Sequence, residues 1–198
     1  KTQLVLASNN AGKIIELEKS LAEISVEIIS QSEYNVPEAE ETGLTFVENA
    51  LIKARNACEH TNLPALADDS GLIVPAINNE PGIYSARYAS NPPNFEDNIS
   101  KLLSNLTDVP EDERNAYFVC CIVYIRDAKD PIPLIFQGLW EGSITHERIG
   151  DNGFGYDPVF YVPEYDCTAA ELKSEIKNKI SHRAQAMKSF KNFLKSSF

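Results

Sequence analysis

The chain has 198 residues, 43% of them apolar and 24% charged, which suits one compact globular domain of ordinary composition. A formal charge of −11 argues against non-specific binding to a nucleic-acid backbone, which needs a basic surface. No apolar run is long enough to span a bilayer as a helix, and the four cysteines include no Cys-x-x-Cys pair, so a membrane protein, a zinc module and a redox motif are all disfavoured.

The opening Lys1–Ala7 lacks the long apolar core of a signal peptide, so a cytoplasmic address with reduced, buried thiols is expected. Leu4–Ala7 reads as a short strand. The polar loop Ser8-Asn9-Asn10-Ala11-Gly12-Lys13 follows, and Ile14, Leu17 and Leu21 then recur at helical spacing. Val26–Ile29 reads as a second strand, and Pro37–Gly43 is an acidic loop. Thr45-Phe46-Val47-Glu48 is a capping box opening a helix whose Ala50, Ala54, Ala57 and Cys58 make a narrow face suited to close packing on a sheet.

Ala65–Ala67 should be a buried strand leading into Asp68-Asp69-Ser70-Gly71, with Leu72–Val74 extended beyond it. Pro81-Gly82 marks a turn, and Asn94 caps a helix from Phe95 to about Leu106. Tyr117–Ile125 and Ile132–Trp140 read as long strands joined by a hairpin loop. After Phe160-Tyr161-Val162 the chain should become helical, broken at Ile180-Ser181-His182. Alternating strands and helices followed by a hairpin indicate an α/β fold with a mixed sheet. No linker divides residues 1–198. The stretch 171–198 carries a net +5 against −16 on the rest, which fits either a solvated helix or a cationic arm facing a polyanionic ligand.

Four segments could carry chemistry. Ser8–Lys13, at a helix N-terminus, could cradle phosphate with its amides and the Lys13 charge, although the pattern is also an ordinary strand-to-helix turn. Asp68 and Asp69 form either a polar turn or a site where a hard divalent cation offsets two adjacent charges, with Glu38, Glu40 and Glu41 as a second acidic set. Asn152–Pro158 either stacks an aromatic on a flat ligand or makes a glycine-bulged turn. Lys177 with Ser181-His182-Arg183 could present donors to phosphate or to a base edge. Lys53 sits on the capped helix, where lysine is usually surface. A Ser70–His182 nucleophile pair lacks the Gly-x-Ser-x-Gly elbow.

In order along the chain, Leu6–Lys13, Glu40–Ala50, Lys53-Ala54, Ala67–Leu72, Pro81–Tyr88, Gly153–Pro158 and Ile180–Arg183 together resemble the inosine triphosphate pyrophosphatase family, in particular the bacterial XTP/dITP pyrophosphatases. The resemblance covers nearly the whole chain; it departs at Ser8-Asn9-Asn10, where many relatives have Thr-Gly-Asn, a change Asn9 should tolerate because asparagine accepts left-handed angles. It implies an elongated mixed sheet with two lobes around a nucleotide cleft, a homodimer, and magnesium (Mg2+) as cofactor. The implied reaction splits dITP, ITP, XTP or dXTP into monophosphate and pyrophosphate.

By the same resemblance Asp69 and Lys53 are catalytic, and Asp69 binds the metal together with Glu40 or Glu41. Ser8, Asn9, Asn10, Ala11, Gly12, Lys13 and Ser70 contact substrate, as do Phe154, Gly155, Tyr156, Asp157, Lys177, His182 and Arg183. His182 and Arg183 are the candidates for preferring a 6-oxo purine over adenine. Two rival readings stay open: a nucleotide-binding regulatory module, and a phosphatase on the same fold that releases inorganic phosphate.

Overall fold

The computed structural model describes residues 2–197. Eight strands and five helices follow in chain order: β1 (Thr2–Leu6), α1 (Ala11–Ser20), β2 (Val26–Ser30), α2 (Phe46–Thr61), β3 (Ala65–Val74), β4 (Glu80–Pro81), α3 (Phe95–Asn105), β5 (Asn115–Ile125), β6 (Leu134–Ile144), β7 (Phe160–Val162), β8 (Cys167–Thr168), α4 (Ser174–Ile180) and α5 (His182–Ser197), with short 3-10 turns between several of them. The strands form one mixed sheet in the order β2-β1-β3-β5-β6-β7-β8, with β4 paired to β3. β1 runs parallel to both β2 and β3, whereas β3–β4, β6–β7 and β7–β8 are antiparallel. This is the α/β class with a mixed sheet that the element order indicates.

The chain divides into two compact units, neither of them continuous in sequence. The first takes the chain through Asp69, together with Cys121–Gln137 and the residues from Ala186 on; the second comprises Ser70–Cys120 and Gly138–Gln185. In the first, the small face of α2 does what its composition suggests. Ala50, Ala54 and Ala57 are wholly buried and pack with Ala65 and Ala67 of β3 and Cys121 and Val123 of β5. Side chains this small let a helix lie close on strands that are themselves lined by small residues. Burial pushes the thiols of Cys58 and Cys121 up to about 11, so both stay protonated and serve as packing groups.

The second unit is built on Leu72, Ile99, Leu102, Trp140, Phe160 and their neighbours. Arg114 is buried within it, and burial lowers its pKa from the ordinary guanidinium value. Its guanidinium donates to the carbonyls of Ile144 (2.9 Å), Leu106 (2.7 Å), Val109 (3.3 Å) and Thr145 (2.9 Å), joining the end of α3 to the end of β6.

Of the two readings open for Asp68-Asp69-Ser70-Gly71, the polar turn fails, because β3 runs unbroken through the segment. Two expectations need correction. β6 starts at Leu134 rather than Ile132 and continues to Ile144. The chain after Val162 is not continuously helical: a 3-10 turn at Pro163–Tyr165 leads into β8, a short strand paired to β7, before α4 begins. A two-residue strand carries no periodicity from which it could be read.

Arg114→Ala should destabilise the protein by about 3–5 kcal/mol, because several buried carbonyls lose their donor together. Urea unfolding of the variant against the parent, at constant m value, measures it.

Candidate active site

In the first unit the loop after β1 feeds α1 through an Asn10 cap. The Asn10 side chain accepts from the amides of Gly12 (2.9 Å) and Lys13 (3.3 Å), and the Ser8 hydroxyl accepts from the Asn10 amide at 3.1 Å. Two amides expected to face a phosphate are therefore already held by Asn10, and the loop's own offering to an anion is chiefly Lys13. Asn9 is not among the residues with left-handed angles. It fits the loop in another way, accepting from the Gln31 carboxamide at 3.3 Å. Ala11 opens α1.

The Lys13 ammonium donates to both carboxylate oxygens of Asp68, at 3.3 and 3.1 Å. The acidic loop is pinned from α2, where Asn49, Lys53 and Asn56 recur at helical spacing on one face. Asn49 accepts from the Gly43 amide at 2.7 Å, and Asn56 donates to the Pro37 carbonyl at 2.7 Å. Between them Lys53 donates to the Asp68 carbonyl at 2.5 Å and lies 3.6 Å from Glu41. Lys53 is therefore no surface lysine.

Asp68 and Asp69 do not share one face, because successive strand residues point to opposite sides. Asp68 is buried under Lys13; Asp69 is half-buried, and its Oδ2 atom is shielded from solvent. A cavity of about 230 Å3 in this unit is lined by Ser8, Asn9, Gln31, Glu41, Lys53 and Asn56, among others. Glu41 faces that cavity and Glu40 is exposed beside it. Among the described residues no three His, Cys, Asp or Glu side chains converge as a ready-made metal cluster.

The second unit holds a smaller, largely apolar cavity of about 120 Å3. Four aromatic residues line it: Phe95, Phe118, Phe154 and Tyr156. Ser70, Gly155, Asp157, Lys177 and His182 complete the part that the sequence singles out. Asp157 is buried, accepts from the Phe154 amide at 3.0 Å and pairs with the Lys177 ammonium at 2.5 Å. That ammonium also lies 4.6 Å from the centre of the Phe154 ring. Gly153 is required here, since it has φ of +75° and any Cβ would collide with the Asp157 carboxylate. The Tyr156 hydroxyl donates to the Ser85 carbonyl at 2.6 Å, and burial raises its pKa, keeping it a donor.

His182, the first residue of α5, lies flat on Phe118 (4.8 Å between ring centres, 14° between planes) and on Trp140 (6.2 Å, 17°). Burial, reinforced by the charges of Lys177 and Arg183, lowers its pKa to about 3. Arg183 follows on the first turn of α5 and is not among the lining residues. Sequence reasoning missed Phe95, Phe118, Ser85 and Gln31. Phe118 lies in an apolar strand and Phe95 at a helix start, and nothing local separates either from an ordinary core aromatic.

The model of the Ham1 family matches residues 4–193. This chain belongs to the Ham1 family. It is similar to the dITP/XTP pyrophosphatase of Photorhabdus laumondii, 54% identical over 94% of each chain, and to that of Xylella fastidiosa, 55% identical over 97% of this chain and 96% of the relative. Among solved structures it is similar to a HAM1 protein from Coxiella burnetii (TM-score 0.96, 47% identity, 99% and 100% of the two chains). It is also similar to a nucleoside-triphosphatase / dITP/XTP pyrophosphatase from Mycobacterium abscessus (TM-score 0.81, 40% identity, 96% and 97%). Among the described residues of this Ham1 chain no helix is long and apolar enough to cross a membrane.

The neutral state of His182 has a thermodynamic consequence. The unfolded chain protonates this imidazole below about pH 6.5, whereas the folded Ham1 chain resists protonation until about pH 3. Its contribution to stability is complete above pH 6.5 and is lost as the pH falls toward 3, by up to about 1.4 kcal/mol per pH unit. Urea unfolding at pH 7 and pH 4.5 should show a larger acid loss for the parent than for His182→Gln.

Proposed function

We propose that this chain hydrolyses non-canonical purine nucleoside triphosphates (dITP, ITP, XTP and dXTP) to the monophosphate and pyrophosphate, removing them from the pool that polymerases draw on. The observation that carries the reading is the aromatic pocket of the second unit, with a neutral imidazole stacked into its wall beside the ion pair of half-buried Lys177 with buried Asp157. The names of the relatives, which are more than half identical along nearly the whole chain, support it. Residues 1–198 act as one catalytic domain, working in the cytoplasm as a homodimer, with no nucleic acid or membrane as partner.

In this reading Phe154–Asp157, Ser70, His182 and Arg183 hold the nucleoside. Aromatic faces suit the flat base, and a donor aimed at a 6-oxo group is left unpaired against the 6-amino group of adenine. Ser8–Lys13, Lys53 and Lys177 meet the phosphates. Lys13 is already oriented by Asp68 and Lys53 by the Asp68 carbonyl, so neither lysine must be ordered when the polyanion arrives. Asp69 takes the proton of the attacking water or orients it.

The carboxylates fit magnesium. This ion takes one or two protein oxygens and completes its shell with water and phosphate, so a preformed cluster of three is not needed. Asp69 and the Glu40–Glu41 pair would hold it, with Glu41 favoured because it faces the cavity and Glu40 does not. When bound, the ion would neutralise phosphate charge.

Incubation with dITP and Mg2+, followed by separate assays for pyrophosphate and phosphate, tests the proposal. Pyrophosphate with deoxyinosine monophosphate is expected. Phosphate release would favour the phosphatase reading, and binding without product the regulatory one. Asp69→Asn should lower turnover at least about 100-fold while leaving the thermal midpoint near the parent's, as loss of a general base does. Lys13→Ala should raise KM for dITP far more than it lowers stability.

A further inference from the structure

The imidazole of His182 can select a base only if its ring is held in one place, and aromatic stacking alone leaves a ring free to slide in its own plane. Two features of the second unit remove that freedom. β7 covers the edge of β6 only at Ser143 and Ile144, so the stretch of β6 before them has backbone groups to satisfy by other means. At Leu139 the side chain of Gln185 supplies those means. Its carboxamide oxygen accepts from the Leu139 amide at 3.3 Å, and its nitrogen donates to the Leu139 carbonyl at 2.8 Å.

The same nitrogen donates to the Ile180 carbonyl at 3.1 Å, on the far side of the break between α4 and α5. One side chain thus pairs with β6 as a neighbouring strand would, and ties both helices of the junction to that position. Gly138 supplies the second feature. A Cβ there would fall on the His182 carbonyl and lie 3.0 Å from the Gln185 Cβ, so only glycine lets the junction rest on the strand.

We propose that Gln185 is a positioning residue, which holds the α4–α5 junction on β6 through Leu139 and thereby sets the His182 ring against Phe118 at the pocket wall. The inference rests on the base-selecting role given to His182 above. Gln185 is itself exposed and is not a lining residue of the pocket. Its effect passes through the backbone of the first turn of α5.

The test compares the parent with Gln185→Met, which keeps length and bulk but makes none of the three hydrogen bonds, with Gln185→Ala as the second variant should the first fail to fold. The imidazole resonances of His182 in the ligand-free protein are expected to shift in the variant, with the thermal midpoint nearly unchanged. KM for dITP should rise about tenfold, the scale of one or two lost hydrogen bonds, with kcat changing much less. Unchanged His182 resonances would overturn the proposal, as would shifted resonances with an unchanged KM. If the parent releases no pyrophosphate from dITP, the functional reading fails separately, and the ligand-free resonances alone decide whether Gln185 positions the ring.

Discussion

A carboxylate withdrawn from water must be matched by a cation or by several hydrogen bonds, and the charged centre of each unit is organised by that requirement. In the first unit Asp68 is buried under Lys13, and its carbonyl receives Lys53. In the second, Asp157 is buried under Lys177 and the Phe154 amide. Such pairs add little net stability, since desolvation offsets most of the attraction, yet losing one partner is expensive. What they contribute is position. Each aspartate holds a flexible lysine in one place, and the entropy of ordering that long side chain is spent during folding.

The same requirement accounts for details that otherwise look unrelated. Gly153 is glycine because the Asp157 carboxylate occupies the place of its Cβ, and the resulting bend brings the Phe154 ring over the Lys177 ammonium. Asn49 and Asn56 bracket Lys53 on α2 and fasten the two ends of the acidic loop, which leaves Glu41 beside that lysine. The charged groups are thus anchored by neutral amides, which lose nothing when the ionic surroundings change.

Signals that act over a few residues were legible in the sequence. The Thr45 cap of α2, the small face of that helix, the strand-loop-helix at Ser8–Lys13 and the break at Ser181 all appear where local pattern places them, although Glu48 reaches back to the Leu44 amide rather than closing the capping box on Thr45. Failures occurred where tertiary context overrode local preference. Aspartate and glycine disfavour strands, so a polar turn is one open reading of Asp68–Gly71; β3 nevertheless stays extended, paired to β1 before the segment and to β4 after it. That change alters the chemistry, because extended backbone sends Asp68 and Asp69 to opposite faces and allows them separate tasks. Phe118 and Gln185 were invisible for a related reason. One looks like any core aromatic and the other like any polar helix residue until the fold stacks Phe118 on His182 and pairs Gln185 with Leu139.

His182 shows how electrostatics and packing act together. A neutral imidazole offers one donor and one acceptor, whereas its protonated form offers two donors and could not distinguish partners by accepting from one of them. Burial against Phe118 and Trp140 already disfavours the proton, and the charges of Lys177 and Arg183 disfavour it further. The lysine that balances Asp157 therefore also keeps the neighbouring imidazole neutral. Its charge is tied to Asp157 by a direct ion pair, so the environment of His182 is set by a contact His182 does not make. In the proposed reading, discrimination at a base edge would depend on three separately held elements: the buried acid that retains the lysine, the rings packed against the imidazole, and the junction backbone proposed to fix its direction.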